Sequence, residues 1–218
     1  MKHPGETNPQ PNRGQDFFNR ILYDRLPGLY NAMDWLTFGA WWSLVRRALD
    51  YVPTGGRVLE VGFGPGRLQV ELAKRSDLAF GIDLAGGMCR FTHDRLAAQG
   101  LIPNITRGSV FTLPYSTDAF DTVVSTFALS GMPDVQNALA EMARVVTPTS
   151  QVVVVDIALP ADGNRVGTFW ARLWESMGDY LYDFPALMLG VGLNVTRCEE
   201  FGPGRHIRAV VGEKQAAR

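Results

Sequence analysis

From Arg57 onward the chain alternates short apolar runs with longer amphipathic ones. The runs RVLEVG, LAFGID, ITRGSV, FDTVVST and QVVVVDIA read as strands, and helical spacing fills 67–75, 86–99 and 134–146 between them. Such alternation predicts βαβ units in a parallel sheet with helices on both faces. Two more strand-like runs, NVTRCEEF and RHIRAVVGE, flank a Gly-Pro-Gly turn and predict a terminal antiparallel hairpin. The expected fold class is therefore α/β, with a doubly wound, mostly parallel seven-stranded sheet. Residues 16–52 carry Phe17, Ile21, Leu26, Tyr30, Trp35, Leu36, Trp41 and Leu44 at helical intervals, broken at Pro27-Gly28, and predict an N-terminal helical cap. An aromatic segment over 163–190 predicts a helical insertion before the sixth strand. Helix ends are written in the sequence too. Asp134 can cap the helix that follows it, Thr147-Pro148 stops that helix, and Gly100 suits the end of the one before.

Composition narrows the partners. At 218 residues the chain has room for one domain with a full core, here taken as 16–218. With 21 Lys and Arg against 22 Asp and Glu, no bulk attraction to nucleic acid or anionic lipid is expected. The pair Arg46-Arg47 leaves a peripheral membrane contact open, with two charges only. Residues 1–15 are polar and rich in Pro and Gly, without the apolar core of a secretory signal, and no later run reaches membrane-spanning length. They read as a disordered tail on a cytoplasmic protein. Cys89 and Cys198 read as unpaired, buried small residues.

The chemistry begins in VLEVGFGPGRLQVELA, residues 58–73, where a strand runs through Gly62, Gly64 and Gly66 into a helix. A doubly wound sheet binds ligands beyond the carboxyl ends of its strands, and the first loop usually carries the glycines. A dinucleotide fingerprint needs its third glycine where this chain has Arg67, so the pyrophosphate reading is weakened. One strand later comes Asp83, about twenty residues on, where an acidic side chain can accept hydrogen bonds from both hydroxyls of a ribose. That pairing implies a nucleoside.

The stretches EVGFGPG, GIDL, GSVFTLPY and FDTVVS, in that order, resemble the motifs of the Rossmann-like class I S-adenosylmethionine-dependent methyltransferases. Within these the chain is most similar to the branch of ubiquinone/menaquinone-biosynthesis methyltransferases, over about residues 23–212. The resemblance implies S-adenosyl-L-methionine as cofactor and S-adenosyl-L-homocysteine as product. It implies that Glu60, Gly62 and Phe63 lie by the methionine amino end, that Gly64 and Gly66 permit close approach, and that Asp83 holds the ribose. It further implies that Leu84 packs on the adenine, that Ser109, Val110 and Phe111 border its ring, and that Ser125 and Thr126 border the methionine. Two positions depart from the pattern: Ser109 stands where the family commonly has an acidic residue, and Tyr30-Asn31 replaces its frequent Tyr-Asp.

Methyl transfer from a sulfonium gains from alignment and exclusion of water, and needs neither metal nor covalent intermediate. No cluster of His, Cys, Asp and Glu has metal-ligand spacing. His3, His93 and His206 read as solvated or structural, which leaves Tyr30 and Asp156 as the candidates for catalytic roles. Trp35, Trp41, Trp42, Trp170 and Trp174 all fall in the cap or the insertion. Over the cofactor end of the sheet they would favour a small, largely apolar or aromatic acceptor, whether quinone precursor or lipid-like. Two other readings remain at this point: a cofactor-binding subunit without turnover, and a nicotinamide-dependent oxidoreductase. The oligomeric state is not written in the sequence.

Overall fold

The computed structural model describes residues 39–216; the tail, most of the cap and Tyr30 lie outside the described residues. The strands are β1 (Arg57–Val61), β2 (Leu78–Asp83), β3 (Ile105–Arg107), β4 (Phe120–Thr126), β5 (Val146–Ile157), β6 (Leu193–Phe201) and β7 (Ile207–Lys214). The helices are α1 (Ala40–Arg46), α2 (Arg67–Arg75), α3 (Gly86–Ala97), α4 (Val135–Val145), α5 (Arg165–Met177) and α6 (Phe184–Gly190). One sheet holds all seven strands in the order β3-β2-β1-β4-β5-β7-β6. The first five pair in parallel, and β7 runs antiparallel to both β5 and β6. The run ITRGSV is shorter as a strand than its apolar character suggested, because Val110 already opens a 3-10 turn capped by Ser109.

Both faces of the sheet are covered, and successive residues of one strand serve opposite layers. Leu59, Val61, Val123, Val152 and Val154 pack with Leu139, Met142, Phe184 and Met188 of α4 and α6. Val58, Val124, Val153 and Val155 pack instead with Leu68 and Leu72 of α2 and with Ala48. Burial on both faces is why these strands read as unbroken apolar runs. Asp134 caps α4 by accepting from the Asn137 amide at 3.3 Å, and Asn164 caps α5 by accepting from Val166 and Gly167. Gly167 and Gly204 hold α5 against the hairpin, since a Cβ on either would overlap the backbone of the other.

Cys198 corrects one expectation. Neither cysteine forms a disulfide; Cys89 is only half-buried, and Cys198 is exposed because it lies on β6, the edge strand of the sheet. Among the described residues, no helix is long and apolar enough to cross a membrane, and no three His, Cys, Asp or Glu are grouped to hold a metal ion.

Candidate active site

Strand order reverses at β1, with β2 on one side and β4 on the other. The carboxyl ends of these strands are where a doubly wound sheet takes its ligand. The loop after β1 is held from both sides. Gly62 N–H donates to Ile82 at 2.8 Å, which extends the pairing with β2 into the loop. Gly64 N–H donates to Asp83 Oδ2 at 2.9 Å, and Thr92 Oγ1 donates to the Gly64 carbonyl at 2.9 Å.

The three glycines, all at positive φ, meet three different surroundings. A Cβ on Gly62 would collide with Ala128, and one on Gly66 would overlap Thr92 of α3. A Cβ on Gly64 would meet nothing within 4 Å. Gly62 and Gly66 are thus required by packing, whereas Gly64 leaves its open side to something from outside the fold. The Phe63 ring is turned inward, only 4% exposed, against the bare Cα of Gly81; the backbone of Phe63 alone borders the loop's open side.

Asp83 ends β2 with its carboxylate turned to the loop, Oδ2 accepting from Gly64 N–H and Oδ1 from Ala85 N–H, each at 2.9 Å. Leu84, the next residue, is 62% exposed. Ser109 uses its hydroxyl to accept from Phe111 N–H at 3.2 Å, and Val110 behind it is buried. Ser125 donates to the Val61 carbonyl at 3.0 Å, tying β4 to β1, with Thr126 beside it.

Glu60 is the most distinctive group here. It is 1% exposed, and among the described residues its Oε2 has no hydrogen-bond partner. Burial, and then the charge of Asp83, hold its carboxyl well above the ordinary range. A buried carboxyl with one unsatisfied oxygen, close to a bare loop, has the chemistry to take a cationic donor.

Behind these residues a second set of polar contacts joins β4, β5 and the segment after α5. Asp156, at the end of β5, is fully buried, and its oxygens accept from Ser130 N–H at 3.0 Å and Ile157 N–H at 2.8 Å. Its carboxyl therefore faces backbone donors, not the open side. Ser130 Oγ donates to Asp179 Oδ1 at 3.1 Å, and Tyr180 N–H donates to the Ser130 carbonyl at 2.7 Å. Neither Thr92, Ala128 nor Asp179 stood out in the sequence. Each acts across elements, and Thr92 lies in a helix whose neighbours His93 and Asp94 read as solvent-facing. His93 is exposed, and His206 is buried with Nδ1 against the Pro203 carbonyl at 2.7 Å, so both are outside the site.

The titration of Asp156 gives a stability test. Burial pushes its carboxyl up to about 6 despite hydrogen bonds that favour the charged form. Between about pH 4 and 6 the folded state holds a proton that the unfolded chain has lost, so stability falls as pH rises through that window, by about 3 kcal/mol for a shift of this size. Asp156→Asn removes the slope while keeping one acceptor oxygen. Relative to wild type, the variant should regain most of that amount between pH 4 and 7.5, read as urea midpoints.

Comparison with known proteins bears on the central part of the chain. A family model described as a methyltransferase domain matches residues 59–154, from β1 through the core of β5. Those residues carry a methyltransferase domain, the part of the chain that the family model matches. The chain is similar to a demethylmenaquinone methyltransferase of Roseiflexus castenholzii, 29% identical over 157 residues, covering 70% of this chain and 65% of that protein. It is also similar to the ubiquinone/menaquinone biosynthesis C-methyltransferase UbiE of Geobacter sulfurreducens, 28% identical, covering 86% and 80%. Among solved structures, a SAM-dependent methyltransferase of Thermotoga maritima, described as a possible histamine N-methyltransferase, superposes with a TM-score of 0.71 at 18% identity, over 89% of this chain and 98% of that one. The methyltransferase cofactor is S-adenosylmethionine, and the unsatisfied oxygen of the buried Glu60 and the open side of Gly64 fit it.

Proposed function

We propose that this methyltransferase acts on a small, largely apolar aromatic acceptor of the quinol type. The observation that carries the reading is an aromatic wall at the end of β4. The Trp41 ring stands 4.5 Å from Phe127 and 5.5 Å from Trp174, so α1, the β4 terminus and α5 meet over the residue that follows Ser125 and Thr126. Phe127 adopts φ 49, a conformation a bulky side chain rarely takes, and it presents its ring to that wall. Relatives named for methylating demethylmenaquinone support the same acceptor chemistry.

Bound at the loop, S-adenosylmethionine supplies a methyl group whose sulfonium charge is lost on transfer. In this reading Glu60 receives the cofactor's ammonium, and ionises as it does so. Asp83 accepts the two ribose hydroxyls, while its bond to Gly64 N–H keeps the loop backbone in place. Leu84 covers one face of the adenine, and Val110 and Phe111 line its edge beside Ser109. The aromatic wall excludes water and holds the acceptor ring in line with the transferred methyl.

The test uses methyl-labelled S-adenosylmethionine with a short-chain 2-prenyl-1,4-naphthohydroquinone, and with phosphoethanolamine as a polar acceptor. Label is expected on the quinol alone. Trp174→Ala should raise the quinol KM by about tenfold with cofactor affinity unchanged, as expected for one buried aromatic contact. Label on phosphoethanolamine and none on the quinol would reverse the assignment.

A further inference from the structure

We infer that Asp179, in the segment after α5, is the group that takes the proton from the acceptor hydroxyl, with Ser130 and Asp156 positioning it. The inference rests on the quinol reading above. An uncharged phenol or enol acceptor must lose one proton for each methyl it gains. The bond from sulfur to methyl breaks with its electron pair left on sulfur, the new bond forms to carbon or oxygen of the acceptor, and the acceptor's proton passes to a carboxylate. Charge then balances, because the sulfonium becomes a neutral thioether while the carboxylate becomes a carboxylic acid.

Two carboxyls lie at this edge of the sheet, and their surroundings divide the work. Asp156 is fully buried and both of its oxygens accept backbone N–H groups. Asp179 is half-buried, and the Ser130 hydroxyl engages only Oδ1. No other described residue hydrogen-bonds to it. The turn that receives it, Leu129–Gly131, directly follows the aromatic wall at Phe127. Gly131 carries no side chain between them, since a Cβ there would stand 4.0 Å from Asp179 Oδ1. Ala128, in the same stretch, packs against Gly62 of the cofactor loop. Asp179 is therefore held on the turn that joins the aromatic wall to the cofactor loop through Ala128.

The attachment is doubled: Tyr180 N–H binds the Ser130 carbonyl while the Ser130 hydroxyl binds Asp179. One serine thus holds the segment by its backbone and aims the carboxylate by its side chain. Within this group, beyond burial, the charge of Asp179 raises Asp156, and Tyr180, Asp134 and Asp156 in turn raise the Tyr182 hydroxyl. No cation is among the causes that shift either carboxyl, and burial raises both. A carboxylate so placed is a stronger base than one in water.

Asp179→Asn is the decisive substitution, since its amide oxygen still accepts from Ser130 and so keeps the attachment, but it cannot take a proton. With the prenyl naphthohydroquinone it is expected to lower kcat by about a hundredfold or more, to leave S-adenosylhomocysteine affinity within about twofold, and to abolish the acidic limb of the rate profile. Asp179→Glu should restore part of the rate, and Ser130→Ala, which keeps the carboxylate but loosens it, should cost less than Asp179→Asn. A structural role alone would instead lower the melting temperature without changing the pH profile. A second readout needs no turnover: binding of 1-naphthol to the S-adenosylhomocysteine complex should weaken about tenfold in Asp179→Asn. Wild-type rate, or wild-type naphthol affinity, in Asp179→Asn overturns the assignment. A wild-type protein that neither methylates the quinol nor binds naphthol overturns the quinol reading itself, and the two failures are thereby told apart.

Discussion

Gly64→Val is expected to abolish cofactor binding in a protein that still folds, whereas Gly66→Val is expected to lose much of its stability. The two glycines are two residues apart, both at positive φ, and a sequence reading treats them alike. Their surroundings differ. At Gly66 a side chain would enter the volume of Thr92, which is fully buried and bonded to the same loop. Overpacking of that kind costs about 1–3 kcal/mol, and the left-handed conformation adds about 1–2 kcal/mol for a residue with a Cβ. Together these consume much of a stability that is commonly 5–15 kcal/mol. At Gly64 only the conformational cost applies, because a Cβ there enters open space. The added bulk stands where the cofactor must approach, so affinity should fall by about a hundredfold or more, equivalent to about 2.7 kcal/mol. Gly64→Asn separates the effects further, since asparagine tolerates positive φ: it should be nearly as stable as wild type and still bind poorly. Melting temperature and calorimetric titration with S-adenosylhomocysteine on one sample give both answers. Tight binding by Gly64→Val would mean that the loop serves only to turn the chain.

Asp83→Ala carries the second large effect, on binding and on stability together. Hydrogen bonds to a charged group contribute about 1.5–3 kcal/mol each. Losing one ribose contact therefore lowers affinity at least about tenfold, and losing both lowers it further. The same carboxylate also accepts from Gly64 and Ala85, so removing it frees the loop that the cofactor needs fixed. A stability loss of about 2 kcal/mol is expected from those two bonds, after allowance for the partial exposure of the group. Asp83→Asn keeps one acceptor oxygen and should lie between alanine and wild type in both measurements. Unchanged affinity in Asp83→Ala would remove the ribose assignment.

Much of this was legible in the order of residues. Val58 and Leu59, Val123 and Val124, and Val152 to Val155 read as uninterrupted apolar runs, and that pattern already requires a sheet buried on two sides. Between them the helical spacing, with Asp134 at one helix start, gives the βαβ rhythm. Gly64 and Asp83 belong to the same legible class, because a bare loop after the first strand and an acid after the second are local features of the chain. Periodicity and end signals act over a few residues, and a sequence displays them directly.

Contacts between distant elements were not legible. Nothing near Thr92 says that its hydroxyl reaches Gly64, twenty-eight positions earlier, nor that Gly66 is bare because Thr92 lies on it. Asp156 stood out as an acid ending a strand, but only the turn at Ser130 shows that backbone donors consume it. Asp179 gave no signal at all, since its meaning comes from Ser130, forty-nine positions away. Cys198 reads as buried until strand order puts β6 at the edge. The sequence by itself determined the layers, the strand and helix rhythm, the bare loop after the first strand and the acid after the second, because these depend on the spacing of apolar and special residues along the chain. Tertiary structure alone decided which glycine is open, which carboxyl is accessible and which aromatic rings meet, because strand order and loop closure bring together side chains that no local pattern connects.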